Sequence, residues 1–495
     1  MNSVDGRRRH LARILPFGIL LAAAASPIAA LLTRGAALGQ IDLSSIPGTL
    51  AFALSAAAVS ATIGSAVGAV IGTVDVMARR LTIVMSVTLM AAPPAFWWIG
   101  LTRLPFGIGS LSGPASAALV TGVTLAPVTL LLVLAASREI PATAYEAARL
   151  FLKPRRRIVA VLFPLLRPAV LAGFLLTAIL LLGESEIPFL FGFRTSMTDI
   201  ITRFSRTFDV AETVPLVLPL IGTVCALGLA MWKPLFTVLF PQSAGERGVI
   251  LRPASRPIAL ITALLPVVVL LSLAGYAWAT AGGQQALTRR VATWLPTAAI
   301  SVTEPVLSAM VSVGLAVLAV YPARRVPAAR PLVVAGLLLF CVPAGIVAIG
   351  WIALAQHVSG FSVAPGIAYV SRTVGLCALG FAIAYSRLPR TLDDAARLVP
   401  MSPLRRAWLF GLPLLAPSLA ATAALAAATM LADRDVASLL LPPGGSRLML
   451  NLYLLSANAP TAVVGAAALL VVAAGVVVVA LAGGLPLILL TRSRG

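Results

Sequence analysis

Ala160-Val-Leu-Phe-Pro-Leu-Leu-Arg-Pro-Ala-Val-Leu-Ala-Gly-Phe-Leu-Leu-Thr-Ala-Ile-Leu-Leu-Leu-Gly183 carries a single charge, Arg167. A helix rises about 1.5 Å per residue, so about 20 apolar residues cross the hydrocarbon core of a bilayer. The stretch predicts a transmembrane helix. It is continuous, unlike the alternating segments of about ten residues found in membrane barrels. Before it stand Lys153, Arg155, Arg156 and Arg157; after it stand Glu184 and Glu186.

Working outward, further runs of this kind lie near 13–33, 49–74, 81–103, 115–137 and 214–240. Beyond the midpoint they lie near 257–280, 297–321, 331–356, 365–388, 412–432 and 460–490. The 495 residues are 60% hydrophobic and 11% charged, against about 45–50% and 25% in soluble domains. That balance excludes a soluble enzyme, a disordered chain and a disulfide-built secreted domain. The expected fold is all-α: a polytopic membrane protein with about 12 transmembrane helices, in two sets of six.

The net charge of +21 would point to nucleic acid in a soluble chain. With the N-terminus placed inside, 27 of the 37 Lys and Arg fall in cytoplasmic segments and ten outside. Such a bias sets orientation. Both termini are expected in the cytoplasm, and no nucleic-acid partner is needed. Arg7-Arg8-Arg9-His10 before Ile14–Ala30 resembles a signal peptide, but the run is long enough to span and more spans follow. An uncleaved first helix is expected.

Cys225, Cys341 and Cys377 lie in apolar stretches without CxxC, as small buried hydrophobes do. His10 and His357 have no metal-ligand spacing, so no metal site is expected. There is no GxxxxGK[ST] phosphate loop. Gly107-Ile-Gly-Ser-Leu-Ser-Gly113 misses GxGxxG by one residue and reads as a turn.

The hydrophilic segment 241–256 joins a first half, 1–240, to a second, 257–495. Residues 141–150 read Pro-Ala-Thr-Ala-Tyr-Glu-Ala-Ala-Arg-Leu, and 389–398 read Pro-Arg-Thr-Leu-Asp-Asp-Ala-Ala-Arg-Leu; six of ten agree. Pro164-Leu-Leu-Arg-Pro168 matches Pro413-Leu-Leu-Ala-Pro417. Glu184-Ser-Glu186 matches Asp433-Arg-Asp435. Matched features in the same order predict two fused copies of one six-helix unit. Thr143-x-x-Glu146 and Thr391-x-x-Asp394 fit capping boxes, each opening a short helix in an inner loop. Ala147-Ala148 and Ala395-Ala396 let another surface approach the backbone. Pro154 and Pro403 end or turn that helix.

The segments 141–164 and 389–413 resemble the EAA loops of permease subunits of binding-protein-dependent ABC importers. That pattern is Glu-Ala-Ala-x-x-x-Gly, a spacer, then hydrophobic-x-hydrophobic-Pro. Here Glu146-Ala147-Ala148 and Asp394-Ala395-Ala396 fit it. Leu152 and Pro400 replace the Gly, Pro413 closes at the family spacing, and Pro164 closes one residue early. The resemblance covers roughly 50–240 and 295–490. It implies two membrane domains that form a translocation path. Thr143, Glu146, Ala147, Ala148, Leu152, Thr391, Asp394, Ala395, Ala396 and Pro400 would belong to coupling loops seated in cytoplasmic ABC ATPase subunits, expected as a homodimer. It further implies an extracytoplasmic substrate-binding protein, location in a bacterial inner (plasma) membrane, and ATP used by the partner. This chain would bind no cofactor and catalyse no reaction. The fusion, with Ala437-Ser-Leu-Leu-Leu-Pro-Pro-Gly-Gly445, resembles the ferric-iron and thiamine permeases. Ferric iron or another small solute is the expected substrate.

Gly64-x-x-x-Gly68-x-x-x-Gly72 puts three glycines on one helix face, as close packing requires. Pro93-Pro94 either lines the path or kinks a buried helix. Glu184, Glu186, Asp433 and Asp435 stand at the outer ends of spans 5 and 11, and Glu304 lies inside span 8. Charge near hydrocarbon is costly, which makes these acids path candidates. The competing reading leaves the four outer acids solvated or paired with Arg194 and Arg434. Pro305 is expected to put Glu304 near a helix end. A secondary transporter of the major facilitator type also has 6+6 helices. Asp75-Val-Met-Ala-Arg79-Arg80 resembles that family's inner loop, but its Gly spacing is absent. A membrane enzyme would need acids or His clustered at the surface, which the sequence lacks.

Overall fold

The computed structural model describes residues 2–34, 41–72, 113–137, 158–239, 283–323, 329–356, 364–386 and 407–491. It also describes 140, 148, 150–153, 156, 326, 388, 391, 398, 400–402 and 405. In hydrocarbon each backbone N–H and C=O must be satisfied within the chain, so apolar runs become helices. In order these are α1 (Asn2–Arg34), α2 (Ile46–Gly72), α3 (Pro114–Ser137), α4 (Phe163–Leu181), α5 (Glu186–Leu190), α6 (Ser196–Thr207) and α7 (Val214–Leu239). Then come α8 (Gly283–Val320), α9 (Ala329–Cys341), α10 (Ala344–Ala355), α11 (Pro365–Ser386), α12 (Leu412–Leu431), α13 (Asp435–Leu440), α14 (Leu448–Asn458) and α15 (Thr461–Thr491).

Among the described residues every regular element is helical. Among the described residues nine helices are long and apolar enough to cross a membrane, or ten spans if α9 and α10 are counted together. The chain is therefore a multi-pass, all-α membrane protein. The expected spans at 81–103 and 257–280, and Pro93-Pro94, lie outside the described residues.

The structure refines one expectation and corrects another. The run 331–356 reads as one span, but α9 and α10 meet at 93°. Pro343 has no N–H to continue α9 and sits at φ −51°, ψ 135°, outside the helical region. Its carbonyl accepts from Ile346 N and Val347 N and starts α10. Pro305, by contrast, does not end a helix: α8 runs unbroken through it. Its ring holds φ near the helical value, and losing one backbone bond costs less than ending a helix inside lipid.

The helices pack as two compact units. The first-half unit (Leu38–Ala292 with Leu452–Leu470) is built on α2, α3 and α4, with α7 against α4. The expected glycine face is the α2–α3 contact: a Cβ on Gly64 would lie 2.5 Å from the Ala126 carbonyl oxygen. Ser60 bridges this trio, its hydroxyl 3.5 Å from that of Thr129 and 3.4 Å from that of Thr177. The second-half unit (Met1–Ala37, Thr293–Asn451, Val471–Gly495) gathers α1 onto α9, α10 and α11, and packs α11 on α12. Ser312 of α8 and Thr373 of α11 share a hydrogen bond of 2.9 Å.

A five-residue π-helix leads into α4 (Ile158–Leu162) and another into α12 (Ala407–Gly411). Each following helix has Pro near its start, where no N–H is needed, and a second Pro inside: Pro164 and Pro168 in α4, Pro413 and Pro417 in α12. After each the chain turns into a short helix, α5 or α13. These turns carry the acids.

Candidate functional site

At the N-terminal ends of α4 and α12 lie the two acid-Ala-Ala loops. Thr143, Glu146, Ala147, Asp394, Ala395 and Ala396 lie outside the described residues. Ala148 is helical and buried, and its carbonyl accepts from Leu152 N at 2.9 Å. The helix breaks at Leu152–Lys153, and Arg156 is helical again. In the second loop Thr391 and Leu398 are helical, Pro400–Ser402 are not, and Arg405 is. The Ser402 hydroxyl accepts from Arg405 N at 3.3 Å, opening the new turn. Both breaks fall on the positions that hold Leu152 and Pro400 in place of glycine.

The helical pieces carry apolar side chains in the open. Leu150 is 81% exposed, Phe151 85% and Leu398 85%, the highest values for large apolar residues among those described. Sequence reasoning passed over them in favour of the acids and alanines beside them. The signal was present: a Leu follows Ala-Ala-Arg in both loops.

At the opposite ends of α4 and α12 stand the path candidates. In the first-half unit, Glu184 Oε1 accepts from Glu186 N at 2.9 Å and Ile187 N at 3.2 Å, so it caps α5. Glu186 is buried. Thr195 donates to the Glu184 carbonyl at 3.0 Å. Ser196 N donates to the Thr49 hydroxyl of α2 at 2.8 Å, and the rings of Phe52 and Phe193 sit 5.9 Å apart. Partial burial raises the Asp199 carboxyl above its usual range, against the pull of Arg194.

In the second-half unit, Asp433 Oδ1 accepts from Val436 N at 3.2 Å, the corresponding cap on α13. Its Oδ2 accepts from Arg372 Nη1 at 2.8 Å, and the guanidinium lies 5.1 Å over the Phe340 ring. Arg434 donates to Asp435 Oδ1 through Nε at 3.1 Å and Nη2 at 2.7 Å. Arg447 Nε donates to Glu304 Oε2 at 2.6 Å. Leu448 N donates to the Ser301 hydroxyl at 2.9 Å. The Tyr369 hydroxyl donates to the Asp433 carbonyl at 3.4 Å and feels the charges of both long-range pairs. Burial pushes the Asp433 carboxyl up to about 6, although Arg372 pulls it down.

The structure thus brings Glu304, Asp433 and Asp435 into one ion-paired cluster and places Glu184 and Glu186 in the other unit. Arg434 is a partner the sequence suggested; Arg372 and Arg447 are not. Arg372 had a readable signal, because it stands in an otherwise apolar run, where a lone cation requires an acid. In comparisons with family models, curated proteins and solved structures, none matched this chain.

Proposed function

We propose that this chain is the permease subunit of an ABC-type importer, two six-helix copies fused, in a bacterial inner membrane with both termini inside. The observation that carries the reading is the pair of loops. In each, a helical piece presents a nearly bare apolar side chain, breaks, and leads past an arginine into a Pro-containing span. A Leu exposed along a span meets lipid, whereas one beside an arginine-rich turn meets water. Burying such a side chain contributes about 1.5–3 kcal/mol, so Leu150, Phe151 and Leu398 suit a groove on a partner. The partner in this reading is a cytoplasmic ABC ATPase dimer, with Glu146 and Asp394 opening the coupling helices. ATP-driven closure would shift the two loops and rock the attached spans as rigid bodies. An extracytoplasmic binding protein would deliver a small solute, ferric iron among the candidates.

The test is co-purification of the full chain with its co-expressed ATPase. Leu150→Asp, Phe151→Asp and Leu398→Asp together are expected to cut ATPase recovery more than about tenfold while the chain still elutes as a folded species. Undiminished recovery from the triple variant sinks the reading. Uptake driven by a proton gradient without any ATPase would favour a major-facilitator carrier instead.

A further inference from the structure

Residues 433–447 are tied at both ends by charge. The first, Asp433, is held by Arg372 of α11 at 2.8 Å; the last, Arg447, is held by Glu304 of α8 at 2.6 Å. Between the ties lie α13 and the turn Pro442–Gly445. That turn is stiff: Pro443 leads, Gly444 takes φ +82°, and Gly445 N donates to the Pro442 carbonyl at 2.8 Å, a type II geometry. Within this strap Val436 and Ala437 are buried, while the turn is exposed. Tyr369 stands between the ties.

We propose that 433–447 is a hinged strap closing one end of the second-half unit, clasped by the two ion pairs so that it opens as one piece. Such a strap would serve this chain whether or not the importer reading holds. Buried ion pairs hold weakly, because the cost of desolvating the charges offsets most of their attraction. When such a clasp opens, the charges regain water. An apolar clasp loses its whole contribution on opening and regains nothing. Charged ties therefore keep the closed and open states close in free energy.

The architecture does not require these charges. The first-half unit anchors its own turn through Thr49 to Ser196 N, across 147 residues, and the second-half unit uses Ser301 to Leu448 N across the same separation. Three residues beyond the anchoring hydroxyl the first-half unit has Phe52, packed on Phe193, where the second-half unit has Glu304, paired with Arg447. The Arg434–Asp435 pair lies within the strap and moves with it.

The test reads opening through a buried thiol. Ala437→Cys is placed in a Cys225→Ser background, because Cys225 is exposed while Cys341 and Cys377 are buried. The full chain in lipid nanodiscs is labelled with a maleimide, and the rate is followed at each cysteine. Asp433→Asn and Glu304→Gln are each expected to speed labelling at position 437 about tenfold or more, since each leaves a largely desolvated guanidinium without its counter-charge. The exchanged pair Arg372→Asp/Asp433→Arg, or Glu304→Arg/Arg447→Glu, should return the rate to within about threefold of the parent. Cys341 and Cys377 should stay unlabelled throughout. Unchanged rates in the single variants overturn the strap. So does labelling of Cys341 and Cys377 in step with position 437, which would mean unfolding of the unit. Failure of both exchanges to restore the parent rate, by misfolding or otherwise, also overturns it.

Discussion

Where α4 ends, Glu184 caps α5, and the chain is then anchored by the Thr49 hydroxyl and the Phe52–Phe193 rings. Where α12 ends, Asp433 caps α13 through the equivalent backbone donor, but the chain is anchored by Arg372 and by Glu304–Arg447. The difference separates two roles that the sequence runs together. An acid two or three residues after each long helix belongs to the scaffold, because both turns need a cap. In the second-half unit Arg372 and Arg447 add guanidinium ties, to Asp433 and Glu304. Recurrence of Glu184 and Asp433 as caps is therefore weak support for a translocation role, and the Arg372 and Arg447 pairs are the better place to look for function.

The largest expected effect attacks that asymmetry directly. Arg372→Met removes the cation and leaves Asp433 buried, a change that costs about 3–5 kcal/mol where a buried pair is broken. Phe52→Leu, at the place in the first-half unit that Glu304 occupies in the second, keeps an apolar filling and should cost less than about 1.5 kcal/mol. Thermal unfolding in detergent measures both. Equal losses would mean that the two turns are held alike and that the comparison is false.

A middle-sized effect tests what the turns share. Thr49→Val and Ser301→Ala each take the acceptor from a buried backbone N–H, of Ser196 and Leu448 respectively. Each should cost about 1–3 kcal/mol. The two losses should agree within about 0.5 kcal/mol if the hydroxyl anchor is one device used twice. A loss confined to one unit would confine the shared scaffold to the acid caps.

Much of this was legible in the sequence. Helical spans follow from length and apolar content, and the Gly64 face announced the α2–α3 contact by its four-residue spacing. The break at Pro343 was not legible, since Pro296, Pro305 and Pro417 sit inside unbroken helices. What decides is whether the freed carbonyls find partners, and that is a property of the neighbours. The packing of α1 on α10 was likewise invisible, because long apolar helices look alike from any side. For the site, the acids could be seen but not their partners. Asp433 and Arg372 are 61 residues apart and Glu304 and Arg447 are 143 apart, and nothing local links them.

A smaller effect follows from protonation of Asp433. Burial raises its carboxyl from 3.8 to about 6. Between those values the folded chain holds a proton that the unfolded chain has lost. Stability therefore falls as pH rises through that window and levels off above it. Asp433→Asn should flatten this part of the profile, read as melting temperature from pH 4 to 7.5 against the parent. A variant profile parallel to the parent's would assign the slope to other groups and leave the Arg372 pair without a part in it.

The smallest effect on stability is expected at the loops, and there the two halves should behave alike. Leu150→Ser and Leu398→Ser remove side chains that are 81% and 85% exposed, so each should change unfolding by less than about 0.5 kcal/mol. Neither contributes to its own unit's packing; in the importer reading it is the ATPase that they meet. Each single variant should therefore weaken ATPase recovery by a similar factor, and the pair should compound. If Leu398→Ser acted while Leu150→Ser did not, the coupling contact would belong to the second half, as the Arg372 and Arg447 pairs do. The asymmetry between the two turns would then extend along α12 to its other end.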